Sequence, residues 1–424
     1  MHATRSLHFL LALALLGASA GAAEAQMKAR PRLEGTKEER AQSVFDLLGP
    51  EHVIREAWRT TGRYFFDKRL LRTKDWDGAL ARALEKAKQA QDPTDVHDII
   101  NAMIGELKVS HLALLEHDVW ARELAVEFTN RKSVRAGCEL TVLKGRYYAA
   151  GVVRGGPAAN SGLREGDEVL SLDGLAPAQS PHLVDGGHDP GMPGPHAYCF
   201  RVTKGQEIAL RVRRSAGAAP FDLTLRPAAD SLIDAARRSV RIETVGGVKV
   251  GVIHLPHYIH REIYEITRRA LRGPLADVDS LVLDVRGRGG SSWVVNAILG
   301  LFRGRRAIWD KPVVLLTDRG TRSAKEIFAF HWKKRRIGPI VGERTQGACI
   351  GCRFVELSDG SVLCVPIADV KRLSGGEVIE GRGVEPTDRV RQHALPYRNG
   401  RDRILQAGLR HAGQLARGEA PQPL

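Results

Sequence analysis

The sequence predicts an α/β multidomain chain, and three observations predict it. Apolar residues recur at helical spacing up to about residue 130, short strand-like runs broken by turn residues follow from about 133 to 226, and apolar strands alternate with helical stretches after that. With 424 residues the chain is long enough for two or three such parts.

Residues 1–25 carry a basic start at Arg5, an apolar run from Leu7 to Leu16 and the small-residue close Ala23-Glu-Ala25, the pattern of an export signal cleaved before Gln26. The run is too short to span a membrane, and no later stretch reaches about 18 apolar residues. Residues 26–130 read as a helical N-terminal region, with Val44, Leu47, Val53, Ile54, Trp58, Leu80, Ala83, Leu84 and Ala87 at helical spacing. After the start signal Asp92-Pro93-Thr94, the residues Val96, Ile99, Ile100, Met103, Ile104 and Leu107 form one apolar stripe, which sets Ser110 and His111 at a helix end. Residues 131–230 form a β-rich domain, residues 231–400 an α/β core, and residues 401–424 a C-terminal helix and tail, the helix marked by Ile404, Leu405, Leu409 and Leu415.

The net charge of +15 is spread along the chain, with local runs such as Lys333-Lys-Arg-Arg336 and few interleaved aromatics. A nucleic-acid role wants a basic face with stacking residues, so the charge reads as a solvated surface and no nucleic-acid partner is expected. Five cysteines, Cys138, Cys199, Cys349, Cys352 and Cys364, enter an oxidising compartment if the export signal acts, so at least one disulfide is expected. The spacing of His254, His257 and His260 straddles a strand end and lacks a common ligand geometry, so no metal is expected, and no organic cofactor either.

In Leu316-Thr-Asp-Arg-Gly-Thr-Arg-Ser-Ala-Lys-Glu-Ile-Phe-Ala-Phe330 an apolar strand turns into a helix with Ser323 at the junction. Helix N-termini favour developing negative charge, which suits a nucleophile, although a serine there also serves simply as an N-cap. The surrounding segments resemble the S41 peptidases, the C-terminal processing and tricorn-type serine proteases. Five pieces occur in family order: Gly247 to Pro256, Ser280 to Gly290, Thr321 to Phe328, Val341 to Gly347, and Glu380 to Asp388. The resemblance implies an α/β core of ClpP/crotonase-like fold, Ser323 as nucleophile, and peptide or protein substrates.

One departure bears on mechanism. In the processing branch a lysine base follows the Gly-Glu-x-Thr-x-Gly element, but here Gly347 is followed by Ala348. The tricorn-type branch uses a histidine in a Gly-Glu-Leu-x-x-Ser-His segment, and this chain has Gly105-Glu-Leu-Lys-Val-Ser-His111. By that resemblance His111 is the base, Ser110 helps orient the relay and Glu380 is the distal acid. From the residues alone, His111 reads first as a solvent-facing histidine or one at a helix C-terminal dipole, and the resemblance reverses that reading. The amide of Ala324 and that of Gly290, with Gly289 as the neighbouring alternative, are the expected oxyanion donors. Gly287 to Gly290 lacks the Lys-Ser/Thr of a phosphate loop, so nucleotide binding is discounted. Lys325, two residues after the nucleophile, is expected to point away from it and to be dispensable.

Gly151 to Gly174, with Gly-Pro-Ala followed by Gly-Leu-x-x-Gly-Asp, resembles a PDZ domain of the bacterial protease type. By that resemblance Gly137, Cys138, Glu139 and Leu140 form the loop and strand that take a peptide C-terminus by strand addition. The Gly-, Pro- and His-rich insert from Ala176 to Pro195 departs from a compact PDZ domain. The reading is a periplasmic or secreted serine endopeptidase of S41 type. Its rivals are a silent scaffold holding peptide tails, motivated by Ala348 and by Lys325 in place of the family's second serine, and an esterase-like acyl hydrolase.

Overall fold

The structure, a computed structural model, describes residues 37–116, 125–129, 131–186, 197–394 and 400–420. The expected export signal lies outside the described residues. No described helix is long and apolar enough to cross a membrane. The chain divides into two compact units.

The first unit contains helices α1 (Lys37–Leu48), α2 (Pro50–Tyr64), α3 (Lys68–Thr73), α4 (Trp76–Ala87) and α5 (Pro93–Gly105), strand β1 (Ala113–Leu115), and a later hairpin from residues 350–370. Helix α5 starts as its residues dictate: the Asp92 side chain accepts the Asp95 amide at 3.0 Å and Pro93 occupies the first turn. Its buried residues Val96, Ile100, Met103 and Ile104 pack with Val53, Ile54 and Ala83 of the neighbouring helices. Leu47, assigned to an apolar face by its spacing, is instead 81% exposed.

The hairpin is a correction to the sequence reading, which placed residues 350–370 in the α/β core. Strands β16 (Ile350–Glu356) and β17 (Val362–Asp369) pair with each other, and β17 pairs on its other edge with β1, Ala113 opposite Cys364. Leu357, Leu363 and Val365 join the helical core, so apolar burial holds the hairpin in this unit. Its turn is tied to α5 as well. His97 Nε2 lies 2.7 Å from Asp359 Oδ2, while Asp359 Oδ1 accepts the Ser361 amide and hydroxyl.

The second unit holds two larger sheets. One is antiparallel throughout, ordered β6 (Leu183–Asp185), β7 (Ala197–Phe200), β3 (Glu139–Leu143), β4 (Arg146–Ala150), β5 (Glu168–Leu172), β8 (Ile208–Arg213) and β9 (Phe221–Leu225). The other is ordered β11 (Arg241–Val245), β12 (Val248–His254), β13 (Ser280–Asp284), β14 (Val313–Thr317), β15 (Ile340–Gly342) and β18 (Asp388–Arg389), parallel from β12 onward. Strands β13 and β14 are buried along their whole length, as their continuous apolar runs require. The C-terminal helix α12 (Arg403–Ala416) covers Val282, Val314 and Leu316 with Ile404, Ala407 and Ala412. Parallel pairing sends the C-terminal ends of β12 to β15 to one edge, where loops carry the ligand sites of open α/β sheets.

The expected disulfides are absent: all five cysteines are thiols. The strand register gives the reason. Leu140 faces Tyr198, so the same register puts Cys138 across from Phe200 and Cys199 across from Glu139, on opposite faces of the sheet. Cys352 stands opposite Pro366 and Cys364 opposite Phe354, a diagonal relation wider than a disulfide spans.

Candidate active site

The loop after β14 delivers Ser323 as the residue before α11 (Ala324–Lys334), with φ 57° and ψ −127°. For a residue with a side chain this left-handed backbone costs about 1–3 kcal/mol and persists only where its surroundings enforce it. They do so here. The Ser323 amide donates to the Ala348 carbonyl at 2.7 Å and to Glu326 Oε2 at 3.1 Å, and the Ser323 carbonyl accepts the Glu326 amide at 2.8 Å. The next amide, that of the buried Ala324, makes no hydrogen bond among the described residues.

Glu326 is the organiser that sequence reasoning missed. Its buried carboxylate also accepts the Ala348 amide at 2.8 Å, the Gly347 amide at 2.7 Å and the Thr345 hydroxyl at 2.6 Å, locking the β15 loop to the serine. Burial raises its pKa and these hydrogen bonds oppose the rise. The Ser323-x-x-Glu326 spacing is a capping-box signature and was the available signal. Ala348 is fully buried with its carbonyl on the Ser323 amide, and its side chain offers no base there.

The glycine turn after β13 closes against the same serine. A Cβ added to Gly289 would lie 2.6 Å from Ser323 Cβ and 3.3 Å from Ser323 Oγ. Gly290, at φ 155°, runs so close to Tyr258 that a Cβ there would meet the Tyr258 carbonyl carbon at 2.2 Å. The Tyr258 amide donates to Gly289 and the Ser291 amide to Tyr258, a pairing that does not use the Gly290 amide. Asp318 Oδ1 takes the Gly287 amide at 3.2 Å. At the head of the turn, the Arg286 guanidinium forks onto both Asp284 and Asp402, the latter being the N-cap of α12. Burial would raise the Asp284 carboxyl, yet Arg286 and His254 hold it well below the usual carboxylate range.

Lys325, in the first turn of α11, turns into the interior. It is fully buried, its Nζ donates to the Arg286 carbonyl at 3.1 Å, and it lies 5.6 Å from the Tyr258 ring centroid. Burial pushes its pKa down to about 7, against the pull of Asp284 and Asp318.

Glu380 is half-buried in the same unit, and its Oε2 accepts the Cys349 amide at 2.5 Å. Ser110 and His111 belong to the first unit. They lie beyond the end of α5 at Gly105, in the turn that enters β1, rather than at the helix end itself. Both are buried, His111 has φ 59°, and Ser110 Oγ lies 2.8 Å from His111 Nδ1.

Of the expected peptide-binding residues, Gly137 has φ 79° and its carbonyl accepts the Val153 amide, while Glu139 carries an ion pair with Arg288 of the glycine turn. Strand addition beside Leu140 is corrected by the structure. Strand β4 occupies one edge of β3, and β7, from just past the Gly- and Pro-rich insert, occupies the other at Leu140 and Thr141.

A strained serine at a strand-to-helix turn, beside an unbonded amide, is the geometry of serine hydrolases. The model of Peptidase family S41 matches residues 302–390 of this chain. The chain is 25% identical over 387 residues to the chloroplastic C-terminal processing peptidase of Tetradesmus obliquus, covering 80% of this chain and 77% of that protein. Against the tricorn protease of Thermoplasma acidophilum it is 24% identical over 385 residues, 82% of this chain but only 33% of that protein. The structure of mature CPAF complexed with lactacystin has the same fold, with a TM-score of 0.52 at 13% identity over 90% of this chain and 100% of that one.

Proposed function

We propose that this chain is an exported serine endopeptidase that cleaves peptide or protein substrates through an acyl-enzyme on Ser323. The observation that carries the proposal is the Ser323 backbone, held at φ 57° by Glu326 and Ala348 while the adjacent Ala324 amide is left without a partner. In this reading His111 takes the serine proton through Nε2, because its Nδ1 is engaged by Ser110. Ser110 helps orient His111, and Glu380 serves as the distal acid. The Ala324 amide and one from Gly290 or Gly289 receive the oxyanion. Water then attacks the acyl-enzyme.

The β-rich region is proposed as a PDZ-like module. With the β3 edge occupied by β7, its proposed role narrows to the loop at Gly137, Cys138 and Glu139 rather than strand addition along Leu140. Calorimetry comparing a free-acid peptide with its C-terminal amide tests that role, and equal binding of both removes carboxylate capture.

A fluorophosphonate probe tests the nucleophile. The wild-type protein is expected to label at Ser323 and Ser323→Ala not at all. Failure of the folded wild-type protein to label refutes the proposal.

A further inference from the structure

The buried cation beneath the glycine turn has no part in the mechanism above. A lysine in the first turn of a helix ordinarily sits in water, and burying its ammonium is costly unless the charge is used. Lys325 is nevertheless fully buried, with Nζ on the carbonyl of Arg286, the residue that opens the turn.

The turn from Arg286 to Ser291 carries the proposed oxyanion amides, and main-chain attachments hold it along its length. Lys325 takes the Arg286 carbonyl, Asp318 the Gly287 amide, and Tyr258 both the Gly289 carbonyl and the Ser291 amide. The two made by Tyr258 are main chain to main chain, while Asp284 also takes the Arg286 amide and His254 hydrogen-bonds the Arg286 main chain. The Lys325 attachment differs from the others in growing from the second residue past Ser323, so one helix start fixes both serine and turn. The Lys325 side chain also runs to 5.6 Å from the ring centroid of Tyr258, the residue that holds the far end of the turn.

We propose that Lys325 is a positioning residue, its ammonium clamping the Arg286 carbonyl and so setting the distance between the glycine turn and Ser323. This rests on reading Ser323 as the nucleophile and the glycine turn as an oxyanion donor. The groups that face the ammonium are Asp284 at the end of β13, Asp318 in the loop after β14, and Arg288 in the turn, with Arg286, His254 and Tyr258 packed around it. Burial and Arg288 lower its pKa while the two aspartates raise it, with a net value of about 7. The clamp is therefore complete at lower pH and weakens as pH rises through that value, because a neutral amine makes a weaker hydrogen bond than an ammonium.

The test uses the full chain and a peptide substrate, with kcat and KM measured across the pH range for wild type, Ser323→Ala, Lys325→Met and Lys325→Gln. Lys325→Met, similar in volume and uncharged, is expected to keep KM while kcat falls by roughly tenfold to a hundredfold, the scale of a misplaced reacting group. It should also lack the alkaline fall in kcat that is expected of wild type. Lys325→Gln keeps a donor for the Arg286 carbonyl and should recover part of the loss without restoring the alkaline fall.

A Lys325→Met protein with wild-type kcat and pH profile overturns the proposal, as does a loss carried by KM alone. If Lys325→Met does not fold, a wild-type kcat without an alkaline fall, or a Lys325→Gln protein that retains that fall, overturns it instead. Ser323→Ala separates the two ideas: turnover by that variant refutes the nucleophile, whereas a dead Ser323→Ala beside a fully active Lys325→Met refutes only the clamp.

Discussion

Gly289→Ala is the most direct probe of the contact between the glycine turn and the serine. The added methyl would sit 2.6 Å from Ser323 Cβ, 3.1 Å from the Arg322 carbonyl oxygen and 3.3 Å from Ser323 Oγ. Carbon atoms rest about 3.5–4.0 Å apart, so turn and serine must separate by about 1 Å. Neither side yields freely. The serine backbone is pinned by Ala348 and Glu326, and Gly289 is pinned through its carbonyl by Tyr258. Overpacking of this kind costs about 1–3 kcal/mol of stability. A displacement of about 1 Å at the reacting groups costs about a hundredfold in rate, so kcat is expected to fall by that order while the protein remains folded. The measurements are peptide hydrolysis under single-turnover conditions and thermal unfolding of the same preparation. Gly300→Ala is the control: nothing lies within 4 Å of a Cβ there, within α10 (Ser292–Phe302). It should gain about 0.5–1 kcal/mol with unchanged activity. A Gly289→Ala protein within about threefold of wild type in kcat refutes the proposed fit between turn and nucleophile.

Four further outcomes are expected. Ser323→Ala and His111→Ala should each remove most turnover, and the double variant should be scarcely worse, since groups that act as one unit are not additive; two full and additive losses would show that they act separately. Asp402→Ala removes the α12 cap and one partner of the buried Arg286 fork, and urea unfolding should show a loss of about 2–4 kcal/mol. Asp284 and Asp402 have folded pKa values below their unfolded ones, so their contribution is present above the ordinary carboxylate range and lost as pH falls through the lowered values; Asp402→Ala should flatten that acid limb. For His97, burial lowers the pKa but Asp359 outweighs it, giving a net rise, so this pair stabilises fully below the unfolded histidine value and less as pH climbs past the folded one. His97→Gln should abolish that slope in thermal unfolding between about pH 6 and 8. Thiol titration in denaturant without reductant should count five thiols, and a lower count would contradict the strand register around the cysteines.

The strand-to-helix turn at Ser323 was legible because strand, turn residues and helix follow one another within a short window, and local order is what sequence periodicity records. The α12 pattern and the Asp92 start of α5 were legible for the same reason. Lys325 was not, because helix geometry says where a side chain leaves the backbone but not whether the space it enters is walled by Tyr258 and the Arg286 carbonyl. The hairpin of β16 and β17 was misplaced since alternation of strands and helices gives order along the chain, whereas the choice of core depends on which apolar face Leu363 and Val365 find. The loss of the open β3 edge has a similar origin: β6 and β7 flank a stretch rich in glycine, proline and histidine, whose composition gives no strand signal.

The pairing of Ala113 with Cys364 also orders events during synthesis. Residues 37–116 leave the ribosome early, yet the strand that flanks β1, and the Asp359 turn that docks on His97, are made only after the whole Ser323 segment. The histidine-bearing unit therefore cannot finish its sheet until the serine-bearing segment already exists, and long-range pairings of this kind form slowly. The unit that carries the proposed base stays incomplete until the later strands of its sheet are made. Chains terminated at Cys349 would expose the apolar residues that Leu357, Leu363 and Val365 otherwise cover.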